Sequence, residues 1–221
     1  MSKYLIIGGH GKVALLASKL LAEQGHRVTA VIRNPEHTAD VEATGAHALV
    51  LDVEEASTEE MAHAFAGQDA IIWSAGAGGG NPARTRAVDH DAAIRSMDAA
   101  AAAGVTRYVM VSYLGSRADH GVDPENGFWH YAEAKAAADD YLRSTDLDWT
   151  ILGPGRLTLD QPTGRIAVGQ AANDARGTSR ANVAAAVVAV LGDPLTVRHT
   201  IRFTDGTEAI PEAVREGEQD G

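Results

Sequence analysis

Cysteine is absent from the 221 residues, which excludes disulfides, thiolate metal sites and cysteine nucleophiles. No apolar run approaches the ~20 residues that a membrane-spanning helix needs. The opening MSKYLIIGG has neither the basic stretch nor the cleavage site of a secretory leader, so a cytoplasmic location is expected. Basic charge is scarce too: 19 Lys and Arg stand against 30 Asp and Glu, a formal net charge of −11. Nucleic acid and anionic membranes both require a basic field, so neither is expected as a partner. Any anionic ligand must be held by a local arrangement of donors. The nine histidines form no ligand-like cluster, and no metal is assigned.

At 45% hydrophobic and 22% charged residues, the chain has the composition of an ordinary globular protein. Short apolar runs at 3–8, 28–32, 48–51, 70–73, 108–111 and 149–152 alternate with Ala- and Leu-rich stretches at 12–24, 57–66, 83–103 and 127–144. Strands apolar on both faces and separated by helices predict a single-domain α/β fold, doubly wound, with a mainly parallel sheet. After residue 155 the pattern loosens, with a strand expected at 165–168, a helix at 180–191 and a strand near 200–204. The domain is expected to span 1–214, with substrate-side elements at about 153–210. The polar tail 215–221 is expected to fray.

The first strand runs into GGHGKVALL, where Gly8, Gly11 and Ala14 form a G-x-x-G-x-x-A spacing at a strand–helix junction. Glycines there allow a tight turn and close approach of backbone to a pyrophosphate, and the helix N-terminus offers free N–H groups. At the end of the second strand (VIRNP), Arg33 stands where an NAD-preferring protein carries an acid for the ribose 2′-hydroxyl. A guanidinium can instead pair with a 2′-phosphate, and His10 and Lys12 add cationic groups nearby. NADP is therefore expected over NAD.

In this order and spacing, GGHGKVA, VIRNP, LDV, SAGAGG, VDHDAA, GVTRYVMVSYLGS, YAEAK, WTILGPG, SRANVAAAVVAVLGDP and FTDGTEAI resemble the short-chain dehydrogenase/reductase superfamily. The resemblance is to its atypical NAD(P)-binding branch and covers nearly the whole chain. It implies that Gly8, Gly9, His10, Gly11, Lys12 and Val13 hold the pyrophosphate and Arg33 the adenosine end. Asp52 and Val53 would lie by the adenine, with Ala75 and Gly76 beside the nicotinamide ribose. Tyr131 would donate the proton, with Lys135 lowering its pKa and holding the ribose, and Ser112 orienting a substrate oxygen. Asp89 stands where many superfamily members carry asparagine, though the branch usually has the aspartate; Tyr113 stands where a second serine is frequent.

Tyr-x-x-x-Lys arises by chance in roughly one such sequence in ten, so the helix itself must be tested. At 100° per residue, Tyr131, Ala134, Ala138 and Leu142 share one core-facing stripe, with Lys135 on its edge. Glu133, Asp139, Asp140 and Arg143 are expected on the opposite side. A lysine on the inner stripe must be paired or functional, because burying a lone ammonium is costly. Asp89 projects with Ala92, Ala93, Ser96, Met97 and Ala100, so it too asks for a partner, whether a ligand, Arg86 or a helix cap. Ser112 sits at the ligand-binding end of the fifth strand.

The expected activity is an NADP(H)-dependent oxidoreductase acting on a small carbonyl or hydroxyl compound, with Ser112, Tyr131, Lys135 and Asp89 as catalytic candidates. An NADP(H)-binding sensor with little turnover is the alternative, and a cofactor-dependent epimerase or dehydratase a further one. The chain after residue 155 is short for the pocket a sugar nucleotide requires. Alanine-rich helices are compatible with a monomer or a homodimer.

Overall fold

The computed structural model describes residues 1–78, 81–172 and 174–219. The last glycine of SAGAGG, Gly79, and residues 220–221 lie outside them. In chain order the elements are β1 (Lys3–Ile7), α1 (Lys12–Glu23), β2 (Arg27–Ile32), α2 (Thr38–Glu42), β3 (His47–Val50), α3 (Thr58–Phe65) and β4 (Ala70–Trp73). There follow α4 (Pro82–Thr85), a π-helical segment (Arg86–Ala92), α5 (Ala93–Ala102), β5 (Arg107–Val111), α6 (Trp129–Arg143) and β6 (Asp148–Pro154). The chain closes with β7 (Leu157–Thr158), β8 (Arg165–Val168), β9 (Thr178–Ser179), α7 (Arg180–Gly192), β10 (His199–Asp205), β11 (Glu208–Ala209), α8 (Ile210–Ala213) and β12 (Glu218–Gln219).

The main sheet runs β11-β8-β10-β6-β5-β4-β1-β2-β3. From β10 to β3 all neighbours are parallel. The order 3-2-1-4-5-6 is that of the doubly wound dinucleotide-binding fold, with its topological switch between β1 and β4. Strands such as Tyr4–Ile7 and Ala70–Trp73 are buried on both faces because helices cover each side. One core packs α1 and α7 against Ile6, Ile72, Val109 and Phe203, and the other packs α3, α5 and α6 against Leu5, Ile71, Trp73 and Trp149. α3 begins with a full capping box, Ser57 and Glu60 exchanging bonds with each other's backbone N–H.

Two expectations are corrected here. The stretch read as one helix over 83–103 is α4, a π segment and α5, and the π turn carries Asp89. The tail expected to fray from residue 215 carries a short 3-10 turn (Val214–Glu216) and β12, which pairs with β10. Open N–H and C=O groups of an edge attract even a polar segment. β8 and β11 join antiparallel beyond β10, while β7 and β9 form a separate parallel pair. Among the described residues no helix is long and apolar enough to cross a membrane.

Candidate active site

At the C-terminal ends of β1, β2 and β4 lies a cleft of about 280 Å³. Its floor is the glycine loop. Gly8 has φ +81°, and a Cβ there would lie 2.6 Å from the Cα of Ala75. At Gly9 a Cβ would lie 2.7 Å from the Ala30 side chain. The loop is therefore closed to side chains from below and presents bare backbone above. No side chain caps α1 at Gly11, so the N–H groups of its first turn remain open to an anion. This cradle fits a pyrophosphate.

Gly8, Gly9, His10, Gly11, Arg33, Asp52, Val53, Ala75 and Gly76 all line the cleft. Lys12 and Val13 do not: Lys12 is exposed on α1 and Val13 is buried in the core beneath it. The His10 ring stacks on His37 at 3.6 Å between centroids and contacts Asp40 at 2.9 Å. Asp52 accepts a bond from the Glu54 N–H, shaping its own turn.

Arg84 and Glu54 were not anticipated. Arg84 enters the cleft from α4, where Asn81 caps the helix, and it donates to the Ala77 carbonyl at 2.9 Å. Its guanidinium and that of Arg33 both contact Glu54 Oε2 at 3.4 Å. Arg95 ties the backbone of this loop through the carbonyls of Val53, Glu54 and Ala56. The PAR segment begins nine residues beyond the end of β4 in sequence, and only the fold carries it back over the cleft.

Gly76 also lines a second cavity of about 760 Å³, walled by Pro82, Pro124, Phe128 and Tyr131. Tyr131 sits in the first turn of α6, packed against Phe128 and Tyr113 with ring centroids 5.1 and 5.5 Å away. Behind it Lys135 is fully buried and donates to the Val111 carbonyl at 3.1 Å. Asp89, also buried, accepts from the Ala77 N–H at 3.1 Å through Oδ2, while its Oδ1 has no hydrogen-bond partner among the described residues. It does not pair with Arg86, which bonds Asp91.

Asp139 overturns the helix projection. Expected on the solvent side, it is fully buried and accepts from Ser112 at 2.5 Å and from Ser116. Because α6 packs against the sheet and against the π segment, its buried arc is wider than its apolar stripe. The signal was present as Lys135 and Asp139 at i, i+4, the spacing of a helical ion pair.

Electrostatics bears on two further expectations. Burial, followed by the charges of Asp89 and Asp139, pushes the Tyr131 phenol upward rather than down. The Lys135 ammonium bonds the Val111 carbonyl and the Met110 sulfur and acts on Asp89 and Asp139 through space, with Arg84 adding to it at Asp89 and Arg143 at Asp139. Burial lowers the Lys135 pKa while Asp139 and Asp89 raise it, and burial raises both carboxyls while Lys135 lowers them. Ser112 donates its hydroxyl proton to Asp139.

A sequence model described as NAD(P)H-binding matches residues 8–194. The chain belongs to the NAD(P)H-binding family. It is similar to a Bacillus subtilis protein called an uncharacterized sugar epimerase, YhfK, with 36% identity over 217 residues, 96% of this chain and 99% of that one. Among solved structures, a Bacillus halodurans protein provisionally described as an NAD-dependent epimerase/dehydratase superposes with a TM-score of 0.89. That pair is 31% identical over 98% of this chain and all of the other. The oxidoreductase ylbE from Lactococcus lactis superposes at 0.85, with 29% identity over 96% of this chain and 94% of its own. A nicotinamide nucleotide is thus the cofactor class of the family, and the fold and the atypical short-chain resemblance hold.

Proposed function

We propose that this family member is an NADPH-dependent reductase of a small carbonyl compound, with Tyr131 as proton donor. The observation that carries the reading is that Gly76 lines both the glycine-loop cleft and the cavity beside Tyr131. A nicotinamide bound across that junction supplies hydride. The first turn of α1 and the glycine loop hold its pyrophosphate, and Arg33 and Arg84 supply the cations for a 2′-phosphate.

Tyr131 stays protonated at neutral pH because its surroundings oppose phenolate. A protonated phenol is the form needed to quench the alkoxide that develops when a carbonyl is reduced. Oxidation of an alcohol would need phenolate, so reduction is the favoured direction. Lys135 and Asp139 hold the floor behind Tyr131, and Asp89 leaves one acceptor oxygen free beside Gly76.

Fluorescence titration should give tighter binding of NADPH than NADH. On a reducible substrate, Tyr131→Phe should lower kcat by about 10²–10⁴ while leaving NADPH affinity within about twofold. Unchanged kcat would remove Tyr131 from the mechanism. The commitment of the Ser112 proton to Asp139 favours a second reading, an NADPH-binding regulator with little turnover. NADPH binding without oxidation across aldehydes, ketones and quinones would select it.

A further inference from the structure

We infer that the cavity beside Tyr131 takes an uncharged aromatic carbonyl compound and not a sugar nucleotide; the inference rests on the reductase reading above. Phe128 and Tyr131 form one wall, and Tyr113 stands edge-on to Phe128 behind them, 5.4 Å between centroids. Phe128 is 44% exposed, a large apolar face left at the mouth of the cavity. Pro82 and Pro124 continue the apolar surface. Aromatic rings pair with such a wall in offset or edge-to-face geometry, beyond simple area burial.

The charges of the lining carry the other half of the argument. Among the described residues, neither Lys nor Arg lines this cavity, and Glu125 is its one carboxylate. Arg33 and Arg84 line the adjoining nucleotide cleft. A sugar nucleotide brings a pyrophosphate of its own, which needs guanidinium or ammonium partners or a helix N-terminus. The first turn of α6 and the imidazole of His130 line this cavity, but the Trp129 and Tyr131 N–H groups already donate to the Asn126 and Phe128 carbonyls. A pyrophosphate would therefore meet Glu125 and the field of a chain carrying −11 charges. A neutral arene loses nothing to that field.

The step balances as a two-electron reduction. The carbonyl carbon gains hydride from the reduced nicotinamide, the C=O π pair moves to oxygen, and that oxygen takes the Tyr131 proton. Water then returns a proton to the phenolate through the open cavity.

The test uses the full chain with 4-nitrobenzaldehyde, 4-carboxybenzaldehyde and UDP-glucose. NADPH consumption reads turnover; saturation-transfer NMR of the two benzyl alcohols and of UDP-glucose reads binding without turnover. The neutral aldehyde should exceed the carboxylate at least tenfold in kcat/KM. Its alcohol should show the stronger transfer, and UDP-glucose none in the presence of saturating NADPH. Phe128→Ala should raise KM for the neutral aldehyde more than it lowers kcat, and Glu125→Lys should narrow the gap at least fivefold. Equal use of both aldehydes, binding of UDP-glucose, or no binding of either alcohol would overturn the inference. Selective binding of the neutral alcohol without turnover would uphold the inference about the ligand and sink the reductase reading. Turnover without selectivity would do the reverse.

Discussion

Replacing Lys135 by Met removes the single ammonium from an interior that also holds Asp89 and Asp139, each at most 1% exposed. The methionine keeps most of the lysine stem, so packing changes little, while the Val111 carbonyl loses its donor. Two carboxylates are then left without a buried cation. Lys135 bonds Val111 rather than either carboxylate, so the cost should lie between about 1 kcal/mol and the about 3–5 kcal/mol of a broken buried pair, within the 5–15 kcal/mol of a typical domain. Asp139→Asn should also destabilise, since Ser112 and Ser116 then donate to a neutral amide oxygen. The double variant should be less unstable than the sum, with a coupling of about 1–3 kcal/mol, because each change removes the reason for the other's penalty. Urea unfolding of all four proteins, monitored by tryptophan fluorescence, measures it. The Lys135→Met penalty should also shrink from pH 8 to pH 5, because protonating a buried carboxyl relieves the repulsion it left. Additivity within about 0.5 kcal/mol, or a single-variant cost under about 1 kcal/mol, would show that Lys135 is not balanced by Asp139.

Glu54→Gln should tighten NADPH binding about three- to tenfold and NADH less than twofold, since it frees Arg33 and Arg84 from a competing carboxylate; paired fluorescence titrations at low salt check it. Gly8→Ala should cost about 2 kcal/mol or more and weaken both nucleotides, because φ is +81° and the new Cβ would meet the Ala75 backbone; thermal unfolding and the same titration report it. Tyr108, Tyr113, Tyr131 and Tyr141 are all shifted upward, Tyr113 to about 12. In an alkaline absorbance titration these four should ionise late. A folded state that keeps its phenol protons gives stability that is complete below about pH 10, the unfolded value, and lost as pH rises toward 12 and beyond; ionisation of all five tyrosines near pH 10 in folded protein would refute it.

Much of the fold was legible because strand and helix signals are local. The apolar runs named β1, β2, β4, β5 and β6 within a residue or two at most ends, and GGHGKVALL placed the cleft because a strand–glycine–helix junction has few other uses. The inner position of Lys135 followed from helical period alone. That arithmetic failed for Asp139, because an apolar stripe reports one covered side and α6 is covered on two. The π turn at Asp89 left no pattern in VDHDAA that an ordinary helix lacks.

The sequence by itself determined the layer order, the glycine cradle and the presence of Tyr131 and Lys135 on one helix. Tertiary structure alone decided what those groups meet. It brought Arg84 and Glu54 to Arg33 across loops from different strands, turned Ser112 onto Asp139, and set two carboxylates against one ammonium beneath Tyr131. Proton affinity depends on burial and on charges within a few ångströms, and those distances exist only once the chain has closed on itself.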